Sequence, residues 1–130
     1  MEDWLGMLIT IFIFPLFMLI CGKFYMNKSP QKINHFVGYR TKRAMKNNET
    51  WLFAHNYIGK IMFKMGLVLL PLSVIVMLFV KKRIEDIEIW CTIITTIQIV
   101  PILAAIALTE KALKDNFDEE GNRKNGKPAE

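Results

Sequence analysis

A chain of 130 residues with a net charge of +5 holds one domain at most. Its hydrophobic residues, 52% of the total, gather in three blocks and leave the remainder polar, so mean hydropathy is a modest +0.25. None of the blocks has the polar face that a soluble three-helix bundle requires, which excludes that class.

The first block, residues 4–25, reads "WLGMLITIFIFPLFMLICGKFY" and carries no charge from Leu5 to Gly22. A cleaved signal peptide would need a basic start and a shorter apolar run. Here Glu2 and Asp3 precede the block. The bulky Leu19 and Ile20 before Cys21 argue against a lipoprotein cleavage box. The second block covers 61–80 with a single charge, Lys64, near its start. The third covers 89–108 and is uncharged. Each matches the ~20 residues that a helix needs to cross hydrocarbon. The expected fold is all-α: an integral membrane protein with three transmembrane helices and a long cytoplasmic helical loop between the first two. The membrane domain is expected over 1–117, with the signature loop at 27–60.

In that loop, "NKSPQKIN" reads as an exit turn, with Pro30 extending Ser29. Gly38 permits backbone geometry that other residues avoid. Thr41 is placed to cap a short helix from Lys42 to Lys46. Asn47 or Asn48 then caps a new helix with Glu49 in its first turn, where an acid favours the dipole. This helix is expected to continue into the second span. Trp51, His55 and Gly59 recur every four residues and share one face. The bland reading of the segment is surface anchoring, with Trp51 at the lipid interface and the cations on phosphate. Beyond 117, residues 118–130 mix charge, Gly and Pro and read as a disordered tail.

Within the membrane, Pro15, Pro71 and Pro101 each sit in one span and free a carbonyl that a neighbour must satisfy. A packing kink is the plain reading; a hinge or lined cavity is the alternative. Gly59, Gly66 and Ser73 are spaced by seven, which marks a docking face for another helix. In the third span, Thr95 and Gln98 share a face with Cys91, and Gln98 is expected in the bundle interior. Lys64 lies close enough to the helix end to snorkel. Cys21 and Cys91 fall near opposite faces of the bilayer, too far apart for a disulfide, and read as packing residues.

Charge orients the chain. The long loop, the start of the second helix and the tail hold 14 of the 17 Lys and Arg; the other three are Lys81, Lys82 and Arg83. The loop and C-terminus are therefore expected in the cytoplasm and the N-terminus outside, in a bacterial cell membrane. Trp4 and Trp90 then share the outer interface, and Tyr25 and Tyr57 the inner one.

The run Gly38-Tyr39-Arg40-Thr41, followed by Glu49, Trp51, His55 and Gly59, fits the pattern G-x-R-T…E-x-W-x-x-x-H-x-x-x-G. In this the chain resembles the SdpI family of bacterial membrane proteins. Longer members have more spans, and some place Pro and Trp where Lys42 and Arg43 stand here. The resemblance implies an immunity protein that protects its host from a secreted, membrane-active peptide toxin. The founding member also sequesters a transcriptional repressor, which implies a second reading: a scaffold for a cytoplasmic regulator. A third reading is a small transporter or lipid-handling protein, which would have to form a homo-oligomer. Arg40 could bond within the loop, to Glu49 for example, or hold a lipid phosphate. His55 could be a bonded core residue, a proton-sensitive group or a ligand. With His35 as the other histidine and no Cys nearby, a metal site is not expected. Neither a nucleophile–base pair nor a phosphate-cradling glycine loop is present, so no enzyme and no cofactor are expected. The basic loop suits the anionic inner leaflet better than nucleic acid.

Overall fold

A computed structural model describes residues 2–28, 30–34, 36, 38–82 and 84–124. Its elements are α1 (Glu2–Asn27), α2 (Asn48–Val80) and α3 (Ile87–Asn116), with a short 3-10 turn at Ile84–Asp86 before α3. No strand forms among the described residues. All three helices are long and apolar enough to cross a membrane, and the protein is a three-span, all-helical membrane protein. At 1.5 Å per residue the 33 residues of α2 reach about 50 Å, well beyond ~30 Å of hydrocarbon. The signature helix and the second span are thus one rod, whose first turns rise out of the bilayer at the loop end of the bundle. The opposite end, between α2 and α3, is the turn end.

α1 packs through one narrow seam. Met7, Ile11, Pro15, Met18 and Gly22 are buried, at spacings of four, four, three and four residues. That period keeps one stripe of a helix against its neighbour. The flanks Leu5, Ile9, Ile13 and Ile20 are 55–69% exposed and face the lipid side. The closest approach falls at Gly22 and Gly59. A Cβ on Gly22 would lie 2.5 Å from the Phe63 amide nitrogen, and one on Gly59 would lie 2.9 Å from the Gly22 carbonyl oxygen. Two turns further along α2, Gly66 admits the Leu19 side chain. The small-residue face expected on α2 is therefore where α1 docks.

Gln98 of α3 is buried, as expected, and joins all three spans. Its Nε2 donates to the Ile11 carbonyl of α1 at 3.0 Å and to Ser73 Oγ of α2 at 3.0 Å. Ile11 is four residues before Pro15, so its carbonyl has lost its helical donor. Gln98 supplies the replacement. Thr95 is one turn earlier; its buried Oγ1 has no partner among the described residues. Thr92 and Thr96 donate to the carbonyls of Glu88 and Thr92 on their own helix. At the turn end, Trp4 and Trp90 pack against one cluster with Met7, Ile11, Met77 and Val80. The Lys81 ammonium lies 5.8 Å from the Trp4 ring centroid. Cys21 and Cys91 are free and pack on different clusters.

The tail departs from expectation. Residues 118–124 are not a disordered segment: they fold back over the start of α2. Phe117 is buried against Phe53, and the Asp118 amide closes a turn onto the Asn122 carbonyl. An aromatic at the helix end and a glycine at φ +85°, Gly121, offset the polar composition. Residues 125–130 lie outside the described set.

Gly22→Val should lower stability by about 1–3 kcal/mol, because it overpacks backbone against backbone. A Cβ on Gly6 meets nothing within 4 Å, so Gly6→Ala should not be destabilising. The two unfolding midpoints in detergent micelles would check this. Gln98→Leu should cost roughly 1 kcal/mol by orphaning the Ile11 carbonyl, measured in the same way.

Candidate functional site

The start of α2 is defined by its cap. Asn47, in extended geometry, accepts the Thr50 amide on Oδ1 at 2.9 Å, and its own amide donates to Thr50 Oγ1 at 3.0 Å. This is a capping box with threonine in the third position. The Thr50 hydroxyl also donates to the Ala44 carbonyl at 3.0 Å. Lys42–Lys46 accordingly forms a single turn and not the expected helix. Thr41 still begins it: its carbonyl accepts the Met45 amide, and its Oγ1 accepts the Ala44 amide at 3.3 Å.

The tail clips this cap. Asn47 Nδ2 donates to the Gly121 carbonyl at 2.6 Å, and Arg123 pairs with Glu49. The Arg123 guanidinium also lies over the Phe117 ring at 5.2 Å. Sequence reasoning missed this contact, since nothing in the polar tail marks it as a partner of Asn47.

Trp51 and His55 are the centre of the site. Both are fully buried within the protein, so Trp51 does not serve as the interfacial anchor expected of it. Its Nε1 donates to the Pro30 carbonyl at 2.8 Å, which fixes the start of the loop. The His55 ring is held from both sides. Nδ1 donates to the Trp51 carbonyl at 2.7 Å, and Nε2 accepts the Tyr39 amide at 2.9 Å. That pair of partners assigns the neutral tautomer with its proton on Nδ1. The Trp51 ring tilts over the imidazole at 4.2 Å, and Tyr25 of α1 meets it edge-on at 5.2 Å.

Gly38 is required twice. Its φ of +116° disfavours any side chain, and a Cβ there would stand 2.4 Å from His55 Nε2. The next residue, Tyr39, crosses to α3 and donates its hydroxyl to Glu110 Oε1 at 2.6 Å. Burial, and then this hydrogen bond, push the Tyr39 pKa above its ordinary value. Arg43 Nε lies 3.6 Å from the other Glu110 oxygen.

The structure thus joins Gly38, Tyr39, Trp51, His55 and Gly59 into one lock that ties the loop to α1, α2 and α3. Gly22, Thr50 and Glu110 complete it and were not singled out from the sequence; Tyr25 and Pro30 also join it, though the sequence marked them only as an interfacial aromatic and a turn former. Arg40 is exposed on the loop surface, as are Lys32, Lys42 and Lys46. His35 lies outside the described residues. Gly66, Ser73, Thr95 and Gln98 belong to the membrane packing and stand apart from the lock.

Gly38→Ala should displace the loop from α2, and His55→Leu should leave the Tyr39 amide without its acceptor at a cost of about 1–3 kcal/mol. Amide hydrogen exchange would show both as faster exchange at Tyr39, with the mid-span amides of α2 still protected.

A family model described as the SdpI/YfhL protein family matches residues 31–109. The match takes in the lock apart from its α1 contacts, Pro30 and Glu110. The protein "Uncharacterized protein YfhL" of Bacillus subtilis (strain 168) is 28% identical over 112 residues, covering 85% of this chain and 91% of that protein. No solved structure matches the chain. The length of the family match, which covers more than half of the chain, makes this chain a member of the SdpI/YfhL family.

Proposed function

We propose that the protein protects a bacterial cell against a secreted, membrane-active peptide toxin, by binding the peptide or blocking its insertion and without catalysis. The observation that carries this reading is the lock itself. Trp51, His55 and Gly59 hold the loop end against α1 and α2, and Tyr39 ties it to α3 through Glu110. A peptide bound in the membrane would therefore be felt at the loop. The N-terminus lies outside, with the loop and C-terminus in the cytoplasm. This orientation follows from the excess of basic residues at the loop end and puts the exposed Lys32, Arg40, Lys42 and Lys46 on anionic headgroups.

A second reading, recruitment of a cytoplasmic regulator, draws on the same exposed surface. Tyr39 links that surface directly to α3 through Glu110, so a change among the spans would reach it.

The test is expression in a sensitive bacterium challenged with membrane-active killing peptides, with membrane potential as the readout. The native chain should preserve the potential. His55→Leu should lose protection at equal membrane level because the loop is released. Arg40→Ala, which changes an exposed side chain and removes none of the hydrogen bonds of Trp51, His55 and Tyr39, separates the readings. Lost protection would place the exposed loop surface in immunity. No protection by the native chain against any peptide would move the function to the regulator, sought by capture on the loop.

A further inference from the structure

His55 is held in a way that suits only one of its two charge states. It is fully buried and precedes the apolar run 61–80, on the part of α2 that rises out of the bilayer. Nδ1 already donates to the Trp51 carbonyl at 2.7 Å, so an added proton has to go to Nε2. Nε2 is the acceptor of the Tyr39 amide at 2.9 Å. Once it is protonated, two N–H groups would face each other. The Gly38 backbone crowds the same nitrogen and leaves no space for an acceptor to come between them.

The surroundings do not reward the charged form. From α1 the ring meets Tyr25 edge-on, with Cys21 in the same cluster. From the loop it meets Tyr39. Phenols and thiols carry no charge at or below neutral pH, so none of these three can balance an imidazolium. On the α3 side stands Glu110, which holds the Tyr39 hydroxyl and pairs with Arg43. On α2 itself Glu49 lies six residues before His55 and pairs with Arg123, and Lys60 lies five residues after it. No acid pairs with His55 among the described residues. Burial therefore holds the imidazole pKa below the ordinary histidine value, with the Trp51 carbonyl opposing it in part.

We propose that His55 is a proton-operated latch on the loop: neutral, it seats the Tyr39 amide on α2; protonated on Nε2, it expels that amide and frees the loop at Gly38 and Tyr39. The start of the loop stays tied, because Trp51 still donates to the Pro30 carbonyl. What changes is the order of the segment that carries the exposed Arg40 and Lys42. The latch thus makes the shape of the basic surface depend on the proton concentration at the loop end. It rests on neither reading of the function and is compatible with both.

The direction follows from linkage. In the freed loop the imidazole titrates near the ordinary value of about 6.5, and in the seated loop it titrates lower. The hold of the neutral ring is complete above about pH 6.5 and is lost as pH falls from there towards the seated value. Over that interval the open fraction rises roughly tenfold per pH unit.

The test uses the full chain in phosphatidylethanolamine–phosphatidylglycerol vesicles. Amide hydrogen exchange is followed from pH 7.5 to 5 and corrected for the intrinsic pH dependence of the chemistry. Protection at Tyr39 should fall roughly tenfold or more across that range, with the mid-span amides of α2 unchanged. His55→Gln supplies a side-chain acceptor that does not titrate, and its Tyr39 protection should be flat with pH. Should that variant fail to fold, nitrogen NMR of labelled histidine gives an independent reading. With His35→Gln in place, His55 is the one imidazole observed. Its signal should show the proton on Nδ1 at pH 7.5 and convert to imidazolium as Tyr39 protection is lost. Three results would overturn the proposal. Tyr39 protection that is constant from pH 7.5 to 5 would mean that the loop does not respond to protons. A pH dependence that survives His55→Gln would place the titrating group elsewhere. A His55 ring that stays neutral while Tyr39 protection falls would separate the two events.

Discussion

The contact on which the rest depends is backbone on backbone, at Gly22 and Gly59. There a Cβ on either helix would run into the backbone of the other. That approach carries Tyr25 to the edge of His55. It helps to enclose the imidazole in a site dry enough for its two hydrogen bonds to count. The loop then rests on His55 Nε2, and α3 is reached through Tyr39. Close packing inside the membrane thus underlies order outside it.

The middle of the bundle follows a different constraint. Pro15 withdraws a donor from α1, and hydrocarbon offers no substitute for it. A glutamine from α3 takes that place and reaches a serine on α2 with the same nitrogen. Three helices that share mostly dispersion forces are thereby given a register, since polar contacts in lipid have few alternatives.

The spans, their number and the start of α2 were legible in the sequence. Uninterrupted apolar runs and an Asn-Asn-Glu cap are local signals with local physical causes. The docking face of α2 was legible too, because Gly59, Gly66 and Ser73 contrast with larger neighbours. The seam of α1 was not: Met7, Ile11 and Met18 are no more hydrophobic than the lipid-facing Leu5 and Ile13. Trp51 was misplaced because an interfacial tryptophan and a buried one donating to a carbonyl look alike in one dimension. The partner that decides, Pro30, lies 21 residues away. The tail failed for the reverse reason. Its composition is that of a solvated segment, yet Phe117 and Gly121 give it one hydrophobic foot and one turn.

That tail has a consequence for how the molecule is made. The first turn of α2 is closed by Gly121, 74 residues further along the chain than Asn47. A ribosome therefore threads both later spans into the bilayer before the clasp on the earlier one exists. Until then Asn47 and Glu49 stand without Gly121 and Arg123, and the loop end of the bundle is the last part of the molecule to close.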